Sequence, residues 1–330
     1  MDPKQPKGNQ KNSSKINAQW GKANYWEWGR FYCHWKVLGE EGNRAVVFLH
    51  GFGASSSHWR FNANYFAKNG FRVYAIDLIG FGESEQPGPS KIKKLDNCFW
   101  AFQVAAFLEE IVYKNNSGEA ILIGNSLGGL VAITTQALYP NLVGAVVAAP
   151  LPDPALAQLI QIPLPNWLKE LKDKLIHILF NLIPLELLIP IILKTRLINI
   201  ALQSAYYSSI KCDSELLEIV VKPALRNSAP RALRAMCIGM STRKKTCTAP
   251  FLINKIQTSQ KQPRILIAWG RKDNFVPLSI GKKLVKQYPW IKLFIFEKTG
   301  HCPHDESPSE FNQYVLNWLR TNLRESIQKT

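Results

Sequence analysis

Acidic side chains are scarce in this chain: 24 Asp and Glu stand against 41 Lys and Arg, leaving a formal net charge of +17. The excess is scattered over Lys4 to Lys15, Lys91 to Lys94, Arg243 to Lys245 and Lys282 to Lys286, and no basic helix is interleaved with aromatics. That pattern argues against a nucleic-acid partner. It leaves two open uses for the charge, an ordinary solvated face or attraction to an anionic membrane or acidic partner. Cysteine is sparse and spread out. Cys33, Cys98, Cys212, Cys237, Cys247 and Cys302 include no C-x-x-C pair, which excludes the common zinc spacings and argues against a disulfide framework and for a reducing compartment. No internal repeat is present. Residues Met1 to Gln19 lack the apolar core of a secretory signal and read as a disordered basic tail. A long uninterrupted apolar run is also missing. Leu175 to Leu193 comes nearest, but His177, Asn181, Pro184, Glu186 and Pro190 break it, so amphipathic cap helices that touch lipid are expected in place of a membrane span. The location expected is the cytoplasm, with peripheral contact to a membrane.

What is present is a hydrophobic chain, 46% by composition over 330 residues, long enough to bury a sizeable core. Short apolar runs recur at Ala45–Leu49, Phe71–Ile76, Ala120–Ile123, Val143–Ala148, Arg264–Ala268 and Lys292–Phe296. Near-continuous apolar character is what parallel strands buried on both faces require. Helical patterns at Cys98–Tyr113, Gly129–Leu138 and Glu310–Leu319 separate them, and Tyr25 to Val37 reads as an antiparallel hairpin. The alternation predicts an α/β fold with a mostly parallel, doubly wound sheet. It stops after Pro150. From Leu151 to Lys261 the chain carries prolines and Leu/Ile-rich helices with no convincing strand, so a helical lid is expected between core segments 20–150 and 262–330.

The chemistry is concentrated at the ends of those strands. Gly124-Asn125-Ser126-Leu127-Gly128 is a G-x-S-x-G pentapeptide between a strand and a helix, the layout of a nucleophile elbow in which small glycines permit a sharp turn. A serine hydroxyl needs a base to take its proton and an acid to orient that base. His301, just past Lys292–Phe296, and Asp273, just past Arg264–Ala268, supply both. Asp153, which follows Val143–Ala148, is a rival acid. An oxyanion needs donors, and the backbone N–H groups of Leu127 and of Phe52, in His50-Gly51-Phe52-Gly53, are the candidates. His50 is expected to brace that loop and His304 to be structural or exposed. Cys302 should be a small buried residue, Tyr206 and Tyr207 should serve packing, and Asp77 to Ser84 should form a structural loop near the entrance. No metal and no cofactor are called for.

Taken together, His50-Gly51-Phe52-Gly53, Asp77-x-x-Gly80-Phe81-Gly82-x-Ser84, Gly124 to Gly129, Gly270-x-x-Asp273 and Gly300-His301 resemble the α/β-hydrolase superfamily, whose nucleophile–acid–histidine order they keep. Trp26-x-Trp28, His58-Trp59 and Tyr74-x-Ile76-Asp77 look like the cyanobacterial and plastid branch that includes pheophytinase and chlorophyll dephytylase. Dehalogenases and epoxide hydrolases of the superfamily carry aspartate at the elbow. Ser126 in its place implies ester-type hydrolysis through an acyl-enzyme. The resemblance implies an apolar ester substrate, such as a lipid or phytyl ester. Acyl transfer, carbon–carbon bond hydrolysis and a receptor-like role that retains the three residues stay open alternatives.

Overall fold

The computed structural model describes residues 18–157 (except 93, 115 and 117), 166–259 and 264–327. Eight strands form one sheet: β1 (Lys22–Trp28), β2 (Phe31–Leu38), β3 (Ala45–Leu49), β4 (Arg72–Ile76), β5 (Ala120–Asn125), β6 (Val143–Ala149), β7 (Arg264–Gly270) and β8 (Lys292–Phe296). Their spatial order is β1-β2-β4-β3-β5-β6-β7-β8. Only the β1/β2 and β2/β4 pairs are antiparallel, and the rest of the sheet is parallel.

Period-two alternation explains why both faces are apolar. Along β3, Val47 and Leu49 join one core with Leu122, Val146 and Ile267, while Val46 and Phe48 join another with Ile121, Val147 and Leu266. Each strand is therefore buried twice. The second core is closed by α1 (Ala63–Lys68), through Phe66, and by the C-terminal helix, through Phe311, Val315 and Leu319. The first is closed by α2 (Asn97–Phe107) and α3 (Leu127–Leu138), through Trp100, Val104, Leu130 and Val131. Helix α2 starts where Asp96 accepts a hydrogen bond from the Phe99 N–H. The expected helix to Tyr113 continues past Phe107 only as a π turn, Leu108–Val112.

Among the described residues, six α-helices lie between β6 and β7: α4 (Asn166–Leu182), α5 (Leu185–Lys194), α6 (Leu197–Ala205), α7 (Ser214–Ala224), α8 (Ala229–Ser241) and α9 (Ala249–Gln257). After β7 come α10 (Leu278–Gln287), α11 (Pro303–Glu306) and α12 (Pro308–Ile327). The second half of the inserted segment is fastened to the core. The Arg226 guanidinium donates to the carbonyls of Gly82 and Ser84, Gln86 donates to the Pro223 carbonyl, and Ile253 and Ile256 of α9 enter the first core.

Two expectations need correction. Cys98 and Cys247 are joined in a disulfide that ties the start of α2 to the turn before α9. The partners lie 149 residues apart, so spacing gave no hint of them, and the argument for a reducing compartment loses its basis. The expected tail reaches structure one residue short of Gln19. The Ala18 N–H donates to Glu215 and its carbonyl accepts from Lys36; the remainder of the tail lies outside the described residues.

The sheet carries the elbow only because two backbones touch at glycine. A Cβ on Gly128 would strike the carbonyl oxygen of Leu49 and lie 2.7 Å from that of His50. Gly128→Ala is expected to cost about 3 kcal/mol or more in urea unfolding. A loss below about 1 kcal/mol would mean that β3 and α3 can separate there.

Candidate active site

Ser126 sits at the apex between β5 and α3 with φ 50° and ψ −117°, alone among the described non-glycine residues in having a positive φ. Such a conformation costs of the order of 1–3 kcal/mol and persists only where its surroundings fix it. They do so here. The Ser126 N–H donates to the Ala149 carbonyl at 3.1 Å, and the Leu130 N–H donates back to the Ser126 carbonyl, also at 3.1 Å. Asn125 clamps the same turn from its other side, donating to the carbonyls of Ala149 at 2.6 Å and His301 at 3.2 Å. Asn125 was not singled out from sequence; its place as the variable residue of the pentapeptide gave no sign of this role.

The three residues expected to act together are brought together. Ser126 Oγ and His301 Nε2 are 2.8 Å apart, and His301 Nδ1 and Asp273 Oδ2 are 2.9 Å apart. With its proton on Nδ1, His301 donates to Asp273 and accepts from the Ser126 hydroxyl. The carboxyl side chain is fully buried, and its other oxygen accepts from the Phe275 and Val276 N–H groups at 2.8 and 2.9 Å. Asp273 is thereby fixed on both oxygens. Asp153 is occupied elsewhere, accepting from Arg243 at 2.5 Å, the Ala249 N–H at 2.6 Å and the Ala155 N–H at 2.9 Å. It anchors the inserted helices.

Of the proposed oxyanion donors, Leu127 follows the serine in the chain and Phe52 follows Gly51, where a Cβ would lie 3.4 Å from that of Ser126. Leu127 opens α3, whose first N–H groups have no intrahelical partner. Among the described residues neither the Leu127 nor the Phe52 N–H has a protein acceptor. His50 does brace the loop: Nδ1 donates to the Gly51 carbonyl at 2.8 Å and Nε2 accepts the Leu78 N–H at 3.0 Å. The mouth is aromatic. Phe275 stands with its ring 5.3 Å from that of His301, and Phe52 meets Phe81 edge-on at 5.9 Å; both Phe52 and Phe275 are exposed.

Behind His301 lies a buried polar cluster that sequence did not reveal. Tyr206 donates to Asp305 at 3.0 Å and accepts from His58 at 2.8 Å. Arg60 donates to Asp305, Asp213 and Glu215. Glu306 accepts the N–H groups of Gly300, Tyr207 and Ser208, and the His301 N–H donates to the Ala205 carbonyl at 2.7 Å. The histidine loop is thus held by the α6–α7 connection, across nearly a hundred residues of chain. Tyr206 packs as expected, but as a hydrogen-bonded member of this cluster, whereas Tyr207 is exposed. Cys302 is buried, and burial pushes its thiol well above the ordinary range, so it offers no thiolate. The Asp77 loop is structural: its carboxylate accepts from His34 and from the Ser56 and Glu83 N–H groups.

A family model described as "Alpha/beta hydrolase family" matches residues 46–314. This chain belongs to the alpha/beta hydrolase family. The eight-stranded, mostly parallel sheet agrees with that membership. A 2-hydroxy-6-oxononadienedioate/2-hydroxy-6-oxononatrienedioate hydrolase of Burkholderia vietnamiensis is 27% identical over 282 residues, covering 84% of this chain and 88% of that protein. Chloroplastic pheophytinase of Arabidopsis thaliana is 27% identical over 320 residues, and the match spans 84% of this chain but 61% of that protein. Among solved structures, a thermophilic esterase of Thermogutta terrifontis superposes with a TM-score of 0.63 at 19% identity, covering 91% of this chain and 99% of that one, a likeness of fold.

Several groups around the site respond to acid in a common direction. Burial holds His50 below the ordinary histidine value of 6.5, and His304 well below it. Burial would raise Asp77 and Asp305, but the hydrogen bond from His34 to the former, and the nearby His58 ring with the hydrogen bonds from Arg60 to the latter, outweigh it and hold both well below 3.8. A histidine depressed on folding loses stability as pH falls below its unfolded value, because the unfolded chain binds the proton the native state refuses. The melting temperature is therefore expected to fall once pH drops below about 6.5 and to fall further below about 4 as the aspartates protonate. A melting temperature level between about pH 7 and 5 would contradict the histidine assignment.

Proposed function

We propose that this alpha/beta hydrolase is a serine carboxylic-ester hydrolase acting through an acyl-enzyme on a long or bulky apolar ester, of the lipid or phytyl class. The observation that carries the reading is the continuous hydrogen-bonded run Ser126–His301–Asp273 at 2.8 and 2.9 Å, with an otherwise strained serine at its head. Ser126 Oγ attacks the ester carbonyl carbon while His301 Nε2 takes the hydroxyl proton. The tetrahedral oxyanion lies against the Phe52 and Leu127 N–H groups. Collapse expels the alcohol, which leaves with the proton from His301, and Ser126 keeps the acyl group. Water then adds by the same route, giving up its proton to His301, and the carboxylic acid departs as Ser126 regains its hydrogen. Asp273 orients His301 and stabilises the imidazolium that forms twice per turnover.

An ester of apolar groups fits the mouth better than an acid does. Phe52, Phe81 and Phe275 surround the approach. The buried Arg60 and the half-buried Arg243 already face carboxylates. A dicarboxylate, the class in the name of the Burkholderia relative, would call for free cationic donors. That relative nonetheless supports a second reading, hydrolysis of a carbon–carbon bond next to a ketone by the same three side chains.

The test is a substrate panel: short and long p-nitrophenyl acyl esters, pheophytin a and a 2-hydroxy-6-oxodienedioate, with Ser126→Ala as control. Turnover of the long esters that vanishes in a folded Ser126→Ala protein is the expected result. Turnover of the dienedioate alone would transfer the assignment to carbon–carbon hydrolysis, and an active Ser126→Ala variant would end both readings. Within the same assay, Asp273→Asn is expected to lower kcat by about three orders of magnitude or more. Asp153→Asn should lower the melting temperature while keeping kcat within about threefold, since its carboxylate holds the inserted helices. Equal kcat losses in the two variants would reinstate Asp153 as the acid.

A further inference from the structure

Helices α4, α5 and α6 are amphipathic with the apolar side turned outward. On α4 the exposed large side chains are Leu171, Leu175, Ile178, Leu179 and Leu182, the i, i+4, i+7, i+8, i+11 series that lines one face of a helix. Helix α5 repeats the arrangement with Leu187, Leu188 and Ile191, and α6 with Leu197 and Ile200. Leu182, Leu187 and Ile200 are 76%, 67% and 65% exposed, and neither α5 nor α6 contains a buried residue. Exposed leucines occurring singly need no explanation, but large apolar side chains left exposed on three successive helices mark an interaction surface.

We infer that this face docks the protein on the surface of an anionic lipid bilayer. Among the described residues no single helix is long and apolar enough to cross a membrane; α4 and α5 reach that length and apolarity only as a pair, and they bend by 58° at the break between them. Short helices with one apolar face and cationic flanks lie in the membrane plane, with the apolar side at the level of the acyl chains. The flanks are cationic here. At about 100° per residue Lys172 and Lys174 fall on opposite sides of the α4 stripe, and Lys174, Lys194 and Arg196 are exposed. Their long stems can lie along apolar surface while the ammonium groups meet headgroup phosphates. The acid nearest the α4–α5 corner, Glu186, is neutralised by Arg234 at 2.9 Å. Charge also argues against a second copy as the occupant, since two chains of net charge +17 would press like charges together across the face.

The docked face continues to the candidate active site. Helix α6 ends at Ala205, whose carbonyl holds the His301 N–H, and the exposed Tyr207 and Phe275 follow at the site itself. An apolar ester dissolved in the bilayer would then reach Ser126 without crossing water. This last step rests on the ester reading proposed above, whereas docking does not.

Co-sedimentation of the full chain with large unilamellar vesicles tests the inference. Binding is expected to be tighter to equimolar phosphatidylglycerol and phosphatidylcholine than to phosphatidylcholine alone. Leu179→Asp with Leu182→Asp should weaken partitioning about tenfold or more. Lys172→Glu with Lys174→Glu should remove the preference for the anionic vesicles while keeping the weaker neutral binding. The melting temperature and turnover of soluble p-nitrophenyl acetate should stay unchanged in both. Absence of binding by the unmodified chain, or partitioning unaffected by the leucine changes, would overturn the proposal. So would a concentration-dependent dimer that those changes dissolve, which would assign the face to a second copy. Vesicle binding by a chain that hydrolyses no ester would sink the ester reading and leave docking intact.

Discussion

Strand β5 enters its turn with Gly124 against the backbone of Gly128 and Gly129, and α3 leaves with Gly128 against the carbonyls of Leu49 and His50. Three chain segments meet there at backbone contact, with no side chain between them. The approach goes with the positive φ of Ser126, which stands immediately before the first N–H groups of α3. It also sets Gly51, in the loop after β3, beside the serine. The candidate nucleophile and the candidate donor that follows it are thus placed by one packing constraint.

The candidate acid and base depend on a different kind of restraint. Asp273 and His301 follow neighbouring parallel strands, so sheet register brings their loops side by side: Gly270 pairs with Phe296 and lies against Gly300. What holds the histidine loop at its height is the inserted segment, through the Ala205 carbonyl and the cluster around Arg60 and Asp305. A buried network of ion pairs and hydrogen bonds of this type is rigid, and removing one member leaves several charges unpaired. The inserted helices are therefore part of the machinery that positions His301.

Local signals carried the fold and the three central residues. The six apolar runs, each bounded by turn residues, gave the parallel strands within a residue or two, because strands buried on both faces leave an unambiguous pattern. Ser126, Asp273 and His301 were legible because each follows a strand in a motif of its own. The parts that were not legible are those made by distant partners. Nothing near Arg60 announces Asp213, Glu215 and Asp305, and nothing near Cys98 announces Cys247. Asn125 escaped for the opposite reason: its neighbours were so informative that the residue between them looked like filler. The Leu/Ile pattern of the inserted helices announced amphipathic elements, but periodicity does not say which way the apolar side faces. That depends on what packs against the other side.

Arg234 of α8 settles this for α4 and α5. Its guanidinium donates to the carbonyls of Phe180 and Ile183, at 2.8 and 2.9 Å, and to both oxygens of Glu186, whose acidity these contacts push to about 2. The open carbonyls at the end of one helix and an acid in the first turn of the next are gathered by one planar ion. The angle between the two helices is consequently set from a third helix and not by the connecting residues Ile183 and Pro184. Whatever surface those helices lie upon, they meet it as a single bent plate mounted on α8, and the curvature of that plate belongs to the folded protein before any contact is made.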